Sequence, residues 1–173
     1  VATLALFAGA LAAFRLVPQQ FFPASSRVEL LVDLRLPEGS SFAASLDAAK
    51  RLERILAKDP GVESYVTYVG GGSPRFYLPL DQQLAQSNFA QAVLVTRGTV
   101  EREEVRARLL NLFANDFPEL RGRISRLENG PPVGFPVQFR VMGQDPQAVR
   151  DIAYRVREIM RADPAVRDPH LDW

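Results

Sequence analysis

The sequence predicts an α+β fold: one complete β-α-β-β-α-β unit, a second βαβ unit that is partly present, and the end of an apolar helix ahead of both. Three observations carry this. Period-2 and period-3.6 hydrophobic segments follow one another in that order. A constant offset of 104 residues relates the first unit to the second. Residues 1–14, VATLALFAGALAAF, carry no charge.

Composition narrows the function classes. The 173 residues, 47% hydrophobic and 24% charged, suffice for one domain or two small ones with a packed core, not for a disordered chain. The 21 basic and 20 acidic residues are interspersed, leaving no electrostatic footprint for nucleic acid. There is no cysteine, which excludes disulfides, thiolate metal sites and cysteine nucleophiles. The first fourteen residues, as a helix, span about 21 Å against a hydrocarbon core of roughly 30 Å. They read as the end of a transmembrane helix over residues 1–17. A signal peptide is disfavoured because no basic segment or initiator Met precedes the run and no small-x-small site precedes Phe21 to Pro23.

The first unit is expected over residues 24–130. In Arg27 to Leu36, Val28, Leu30, Val32, Leu34 and Leu36 alternate with Glu29, Asp33 and Arg35, which predicts a half-buried strand. Pro37-Glu38-Gly39 breaks it. Ser40 or Ser41 can cap a helix whose apolar stripe is Phe42, Leu46, Ala49, Leu52, Ile55 and Leu56. Asp59-Pro60-Gly61 ends that helix, and strands follow at Val62 to Val69 and Phe89 to Thr96, with the long loop Gly70 to Asn88 between them. Thr99 is the expected N-cap of a second helix carrying Val105, Leu109, Leu112 and Phe113. A short strand near Arg121 to Leu127 completes the split βαβ arrangement called ferredoxin-like.

After Asn129-Gly130-Pro131-Pro132 the pattern restarts, over residues 131–173. A strand is expected at Phe135 to Met142, then Asp145 caps a helix with Pro146 at its first position, and another strand is expected at Val166 to about Trp173. The offset aligns Gly39 with Gly143, Ile55 with Ile159, Asp59-Pro60 with Asp163-Pro164 and Val62 with Val166. Two strands and one helix bury too little to stand alone, so this unit is expected to be incomplete.

Taken in order, the apolar helix end, FRLVPQQFFP (Phe14 to Pro23), VDLRLPEG (Val32 to Gly39), the Gly-rich YVGGGSPRFYLP (Tyr68 to Pro79) and ENGPPVGFPVQFRVMG (Glu128 to Gly143) resemble the resistance-nodulation-division efflux permeases, in their hydrophobe/amphiphile (multidrug) branch. The resemblance covers essentially the whole chain. It implies the stretch after the seventh transmembrane helix, the counterpart after the first being the rival placement: a complete first porter subdomain of the C-terminal half and the beginning of the second. It further implies a proton-driven antiporter exporting amphiphilic compounds, in the bacterial inner membrane with residues after about 18 in the periplasm. A homotrimer working with a periplasmic adaptor and an outer-membrane channel is implied as well, with no cofactor and no enzymatic chemistry.

By the same resemblance Leu31 and Asp33 match an entrance-side pair of pocket residues, although Asp33 stands where an apolar side chain or Met is common. Val66 and Tyr68 match the deeper wall. Gly70, Gly71, Phe76 and Tyr77 belong to a loop that separates two substrate pockets and moves during transport, and Phe135, Val137 and Phe139 match lining positions of the entrance. Read from the residues alone, the alternative for the loop is a plain hairpin with an aromatic lid, and for the period-2 apolar residues ordinary core. Arg75, beside the aromatics, reads as a solvated loop charge, with steering of anionic or zwitterionic substrates as the alternative. His170, with Asp168 and Asp172, lacks the ligands of a metal site, and Met142 and Met160 are the only methionines, too few for a soft-metal exporter. Two other functions stay open: a membrane-anchored tandem ferredoxin-like module that binds a small molecule or regulates, and an acylphosphatase-like enzyme using Arg75 and Asn88.

Overall fold

The structure, a computed structural model, describes residues 2–17, 25–130, 135, 137–166 and 168–171. The chain forms two compact units, Val1–Pro132 and Val133–Trp173. Residues 18–23 of the FRLVPQQFFP stretch, Pro131, Pro132, Asp172 and Trp173 lie outside the described residues.

The first unit begins with helix α1 (Ala2–Phe14), exposed along its length. Its thirteen residues extend about 20 Å, and among the described residues no helix is long and apolar enough to cross a membrane. Then follow β1 (Glu29–Arg35), α2 (Phe42–Leu56), β2 (Val62–Val69), β3 (Phe89–Thr96), α3 (Thr99–Asp116) and β4 (Arg121–Arg126). The strands form one antiparallel sheet in the order β2-β3-β1-β4. This is the ferredoxin-like order, because each β-α-β passage skips a place that another strand fills.

Alternation along the strands decides which side chains face the helices. Leu30, Val32 and Leu34 of β1 and Ala90, Ala92 and Leu94 of β3 are wholly enclosed between the sheet and Ala49, Leu52 and Leu56 of α2 and Val105, Leu109 and Phe113 of α3. Full burial of each such leucine stabilises by roughly 1.5–3 kcal/mol. The turn after α2 is tied to α3 by a two-pronged ion pair, Arg108 Nη2 to Asp59 Oδ1 at 2.7 Å and Arg108 Nε to Asp59 Oδ2 at 3.0 Å.

Helix starts follow the sequence at two places and depart from it at one. Ser41 caps α2, its hydroxyl accepting from Ala44 N at 3.2 Å. Thr99, expected as the cap of α3, is instead its first residue, and the cap position falls on Gly98, which has no side chain to offer. The beginning of α3 is secured by tertiary bonds: buried Arg102 donates to Ser25 O at 2.7 Å and to Arg27 O, holding the segment that enters β1.

The second unit contains helix α4 (Pro146–Ala162), capped by Asp145, whose carboxylate accepts from Gln147 N at 2.9 Å. The 104-residue offset therefore superposes Ser41 on Asp145 and the first residue of α2 on the first of α4. The strands expected at Phe135 to Met142 and Val166 to Trp173 are not formed among the described residues, which enter no ladder. A strand is defined by its partner, and period-2 hydrophobicity without one leaves backbone N–H and C=O groups to water.

Candidate functional site

The helix-free face of the sheet gathers residues from all four strands. Register places Val66 opposite Val93 and Val93 opposite Leu31, and one step along it places Tyr68 opposite Gln91 and Gln91 opposite Asp33. On the far side Leu31 meets Ser125 and Asp33 meets Arg123. Four of the expected site residues, Leu31, Asp33, Val66 and Tyr68, thus share one face, bridged by Val93 and Gln91 of β3. Their exposures differ: Val66 is 54% exposed and Leu31 only 6%.

The difference comes from the Gly-rich loop. Gly70 turns the chain off β2 at φ 81°, a left-handed conformation glycine adopts without the penalty of a Cβ, with its N–H donating to Phe89 O at 2.8 Å. Gly71 bridges to Ala90. The chain then crosses the helix-free face, and buried Ser73 donates its N–H to Gln91 Oε1 at 2.8 Å. Gln91 Nε2 in turn donates to Asp33 Oδ1 at 2.8 Å. Further along, Leu80 and Tyr77 pack with Leu31, Val93 and Leu127 in a second, smaller apolar cluster. The Arg27 guanidinium lies 5.7 Å from the Tyr77 ring centre. Phe76, 43% exposed, sits 5.4 Å from Tyr77 ring to ring. The loop returns through Gln83 and Gln86, both bonded to Arg35 at 3.2 and 2.8 Å. Arg75 is exposed, and the Asn88 amide is committed to Leu36 O at 3.1 Å, so those two residues build no anion cradle.

Asp33 is the electrostatic centre of this face. Burial raises its pKa above the usual carboxylate value, and Asp81 on the loop adds to the rise; the Gln91 bond and the nearby charges of Arg123 and Arg35 oppose it. A carboxylate here makes the face amphipathic rather than uniformly apolar.

In the second unit Phe135, Val137 and Phe139 stand against Val149, Ala153, Val156 and Met160 of α4, around a groove of ≈ 300 Å³. His170 closes one side, its ring edge-on to Phe135 at 4.5 Å. Arg140 and Arg157 also line it, so the groove has apolar walls and cationic groups. His170 Nδ1 lies 3.0 Å from Asp168 O, and among the described residues no group of three His, Cys, Asp or Glu side chains could hold a metal ion.

Sequence reasoning did not single out Gln91, Val93, Leu80 or the Phe135–His170 contact. A signal for Gln91 was present: it is the one polar residue inside the apolar run FAQAVLV. A buried amide in a strand needs partners, and the long loop was the natural place to find one.

A family model described as the AcrB/AcrD/AcrF family matches residues 1–173. The chain belongs to this family. Membership agrees with the resistance-nodulation-division permeases expected from sequence. No curated protein sequence matches the chain. Two crystal structures of a heavy metal efflux pump share its fold. Form II, at 14% identity and TM-score 0.60, covers 95% of this chain and 18% of that one; form I, at the same identity and score, covers 96% and 18%. The chain thus spans about a fifth of the pumps it matches.

Proposed function

We propose that this chain is the periplasmic substrate-porter part of a proton-driven efflux permease that exports amphiphilic or hydrophobic compounds. The observation that carries the reading is the groove of the second unit, walled by aromatic and aliphatic side chains beside two arginines. Such walls are poorly directional and accept varied apolar ligands, while a few charged groups orient them. On the first unit, Val66, Tyr68, Leu31 and Asp33 provide a second contact surface, and the loop carrying Gly70, Gly71, Phe76 and Tyr77 governs access to it. Helix α1 is the end of a transmembrane helix in this reading, and the ionisable groups that relay protons belong to other membrane helices. The permease is a homotrimer in the inner membrane, engaging a periplasmic adaptor and an outer-membrane channel.

The test uses the full-length permease in cells lacking other exporters. Amphiphilic dyes and divalent metal salts are supplied in parallel, with and without Phe135→Ala. The expected result is permease-dependent dye efflux that Phe135→Ala lowers several-fold, as loss of an aromatic contact worth about 1 kcal/mol implies. Resistance to metal salts without any effect on dyes would defeat the amphiphile assignment.

A further inference from the structure

We propose that Asp33 and Gln91 form a proton-responsive latch beneath the Gly-rich loop, seating the loop on the sheet when Asp33 carries a proton and releasing it when Asp33 ionises. The proposal rests on the reading of the loop as the gate to the sheet face and names what controls it.

The geometry is a three-member relay. Ser73 N–H donates to Gln91 Oε1 and Gln91 Nε2 donates to Asp33 Oδ1, both at 2.8 Å. Gln91 and Ser73 are 3% and 1% exposed, so the Gln91 amide and the Ser73 N–H have this relay instead of water. The amide is held in one orientation: Oε1 must face the Ser73 donor and Nε2 the Asp33 acceptor. Gln91 is therefore a positioning residue that connects the loop to the ionisable group.

The sign follows from what the seated loop does to Asp33. Gln91, Arg35 and Arg123 belong to the sheet and stay near Asp33 whether or not the loop is seated; Tyr68 stands in the same row on β2. The loop brings two things, cover from solvent and the like charge of Asp81, and both disfavour the ionised form. A seated loop thus binds the Asp33 proton more tightly than a lifted one, and by linkage protonation favours seating. The protonated acid still accepts from Gln91 through its carbonyl oxygen, so the relay survives protonation. One loop group contributes nothing to seating: Ser73 Oγ is buried with no hydrogen-bond partner among the described residues.

The experiment places a spin label at Leu78→Cys, an exposed loop position, in a full-length permease with no other cysteine, and follows label mobility from pH 4.5 to 8. Each unit by which seating raises the proton affinity of Asp33 changes the seated-to-lifted ratio about tenfold. In the wild type the ratio is expected to fall roughly threefold to tenfold as pH rises. Asp33→Asn, an isosteric stand-in for the protonated acid, should keep the loop seated throughout. Gln91→Leu, which leaves the Ser73 N–H unmatched, should keep it mobile throughout. A loop indifferent to pH, or a pH response that persists in Asp33→Asn, overturns the latch whatever transport does. A responsive label in a permease whose efflux ignores Gln91→Leu supports the latch and instead removes the loop from substrate gating.

Discussion

Alanine substitution at the three consecutive glycines of the loop should give three different outcomes, although the sequence presents them alike. At Gly70 the backbone sits at φ 81°, and an added Cβ would lie 2.9 Å from Phe42 Cε2. The left-handed conformation costs a residue with a Cβ about 1–2 kcal/mol, and displacing the Phe42 ring adds to it. At Gly71 nothing lies closer than 3.6 Å, an ordinary contact, and φ is not in the left-handed region. Gly71→Ala is therefore expected to be neutral, or to stabilise the seated loop by about 0.4–1 kcal/mol by restricting the unfolded chain. At Gly72 a Cβ would come within 2.9 Å of Gln83 Cβ and 3.3 Å of Gln91 Oε1. That substitution pushes the loop off the amide that holds it. Hydrogen exchange of the 70–88 segment in the full-length permease reads the effect: Gly70→Ala and Gly72→Ala should raise exchange several-fold, since about 1 kcal/mol corresponds to roughly fivefold, and Gly71→Ala should leave it unchanged or lower. Equal disruption at all three positions would refute the view that the close approach of backbone to sheet, rather than general suppleness, requires glycine.

Two further expectations concern the scaffold. Ser41→Ala removes the hydroxyl that accepts from Ala44 N and should destabilise the first unit by about 1 kcal/mol, whereas Thr99→Ala, at an exposed first-turn position without a capping bond, should stay within about 0.5 kcal/mol in denaturant titration. Glu103 is held below the usual carboxylate range by the Arg126 bond, against burial and with help from Arg102. A lowered folded pKa means its stabilising contribution is present above the unfolded carboxylate value of about 4.3 and is lost as pH falls below it. Glu103→Gln should flatten that part of the stability-versus-pH curve, and an unchanged acid limb would contradict the assignment.

The fold was legible where local chemistry agrees with tertiary need. The alternation of Leu30, Val32 and Leu34, the Ser41 and Asp145 caps and the Asp59-Pro60-Gly61 stop all appear where their residues place them. Thr99 misled because a threonine before a helical pattern is a good cap in isolation, and Arg102, which actually anchors that end, acts through residues 75 and more positions away in sequence. The second unit misled in the other direction. Phe135, Val137 and Phe139 have strand periodicity, but periodicity specifies a face and not a partner, and among the described residues none supplies a ladder. The membership of the sheet face followed from period 2, while the relay through Gln91 depends on how a long loop folds back, which no local pattern encodes.

The burial of Leu31 changes how the first unit can work as a binding surface. Leu31 was grouped with Asp33 as an entrance-side contact, yet with the loop seated its side chain is covered by Tyr77 and Leu80, while Val66 on the same row stands open. Under the proposed function a ligand would therefore meet Val66 without moving the loop, but would meet Leu31 only by displacing it. Displacement exposes Leu31, Leu80 and Leu127, an unfavourable change that an apolar ligand offsets by covering the same surface. A small polar ligand offers no such compensation. Under the proposed function, the sheet face would then discriminate by what a ligand can replace, and the state of the loop, more than any single side chain beneath it, would set which compounds the first unit holds.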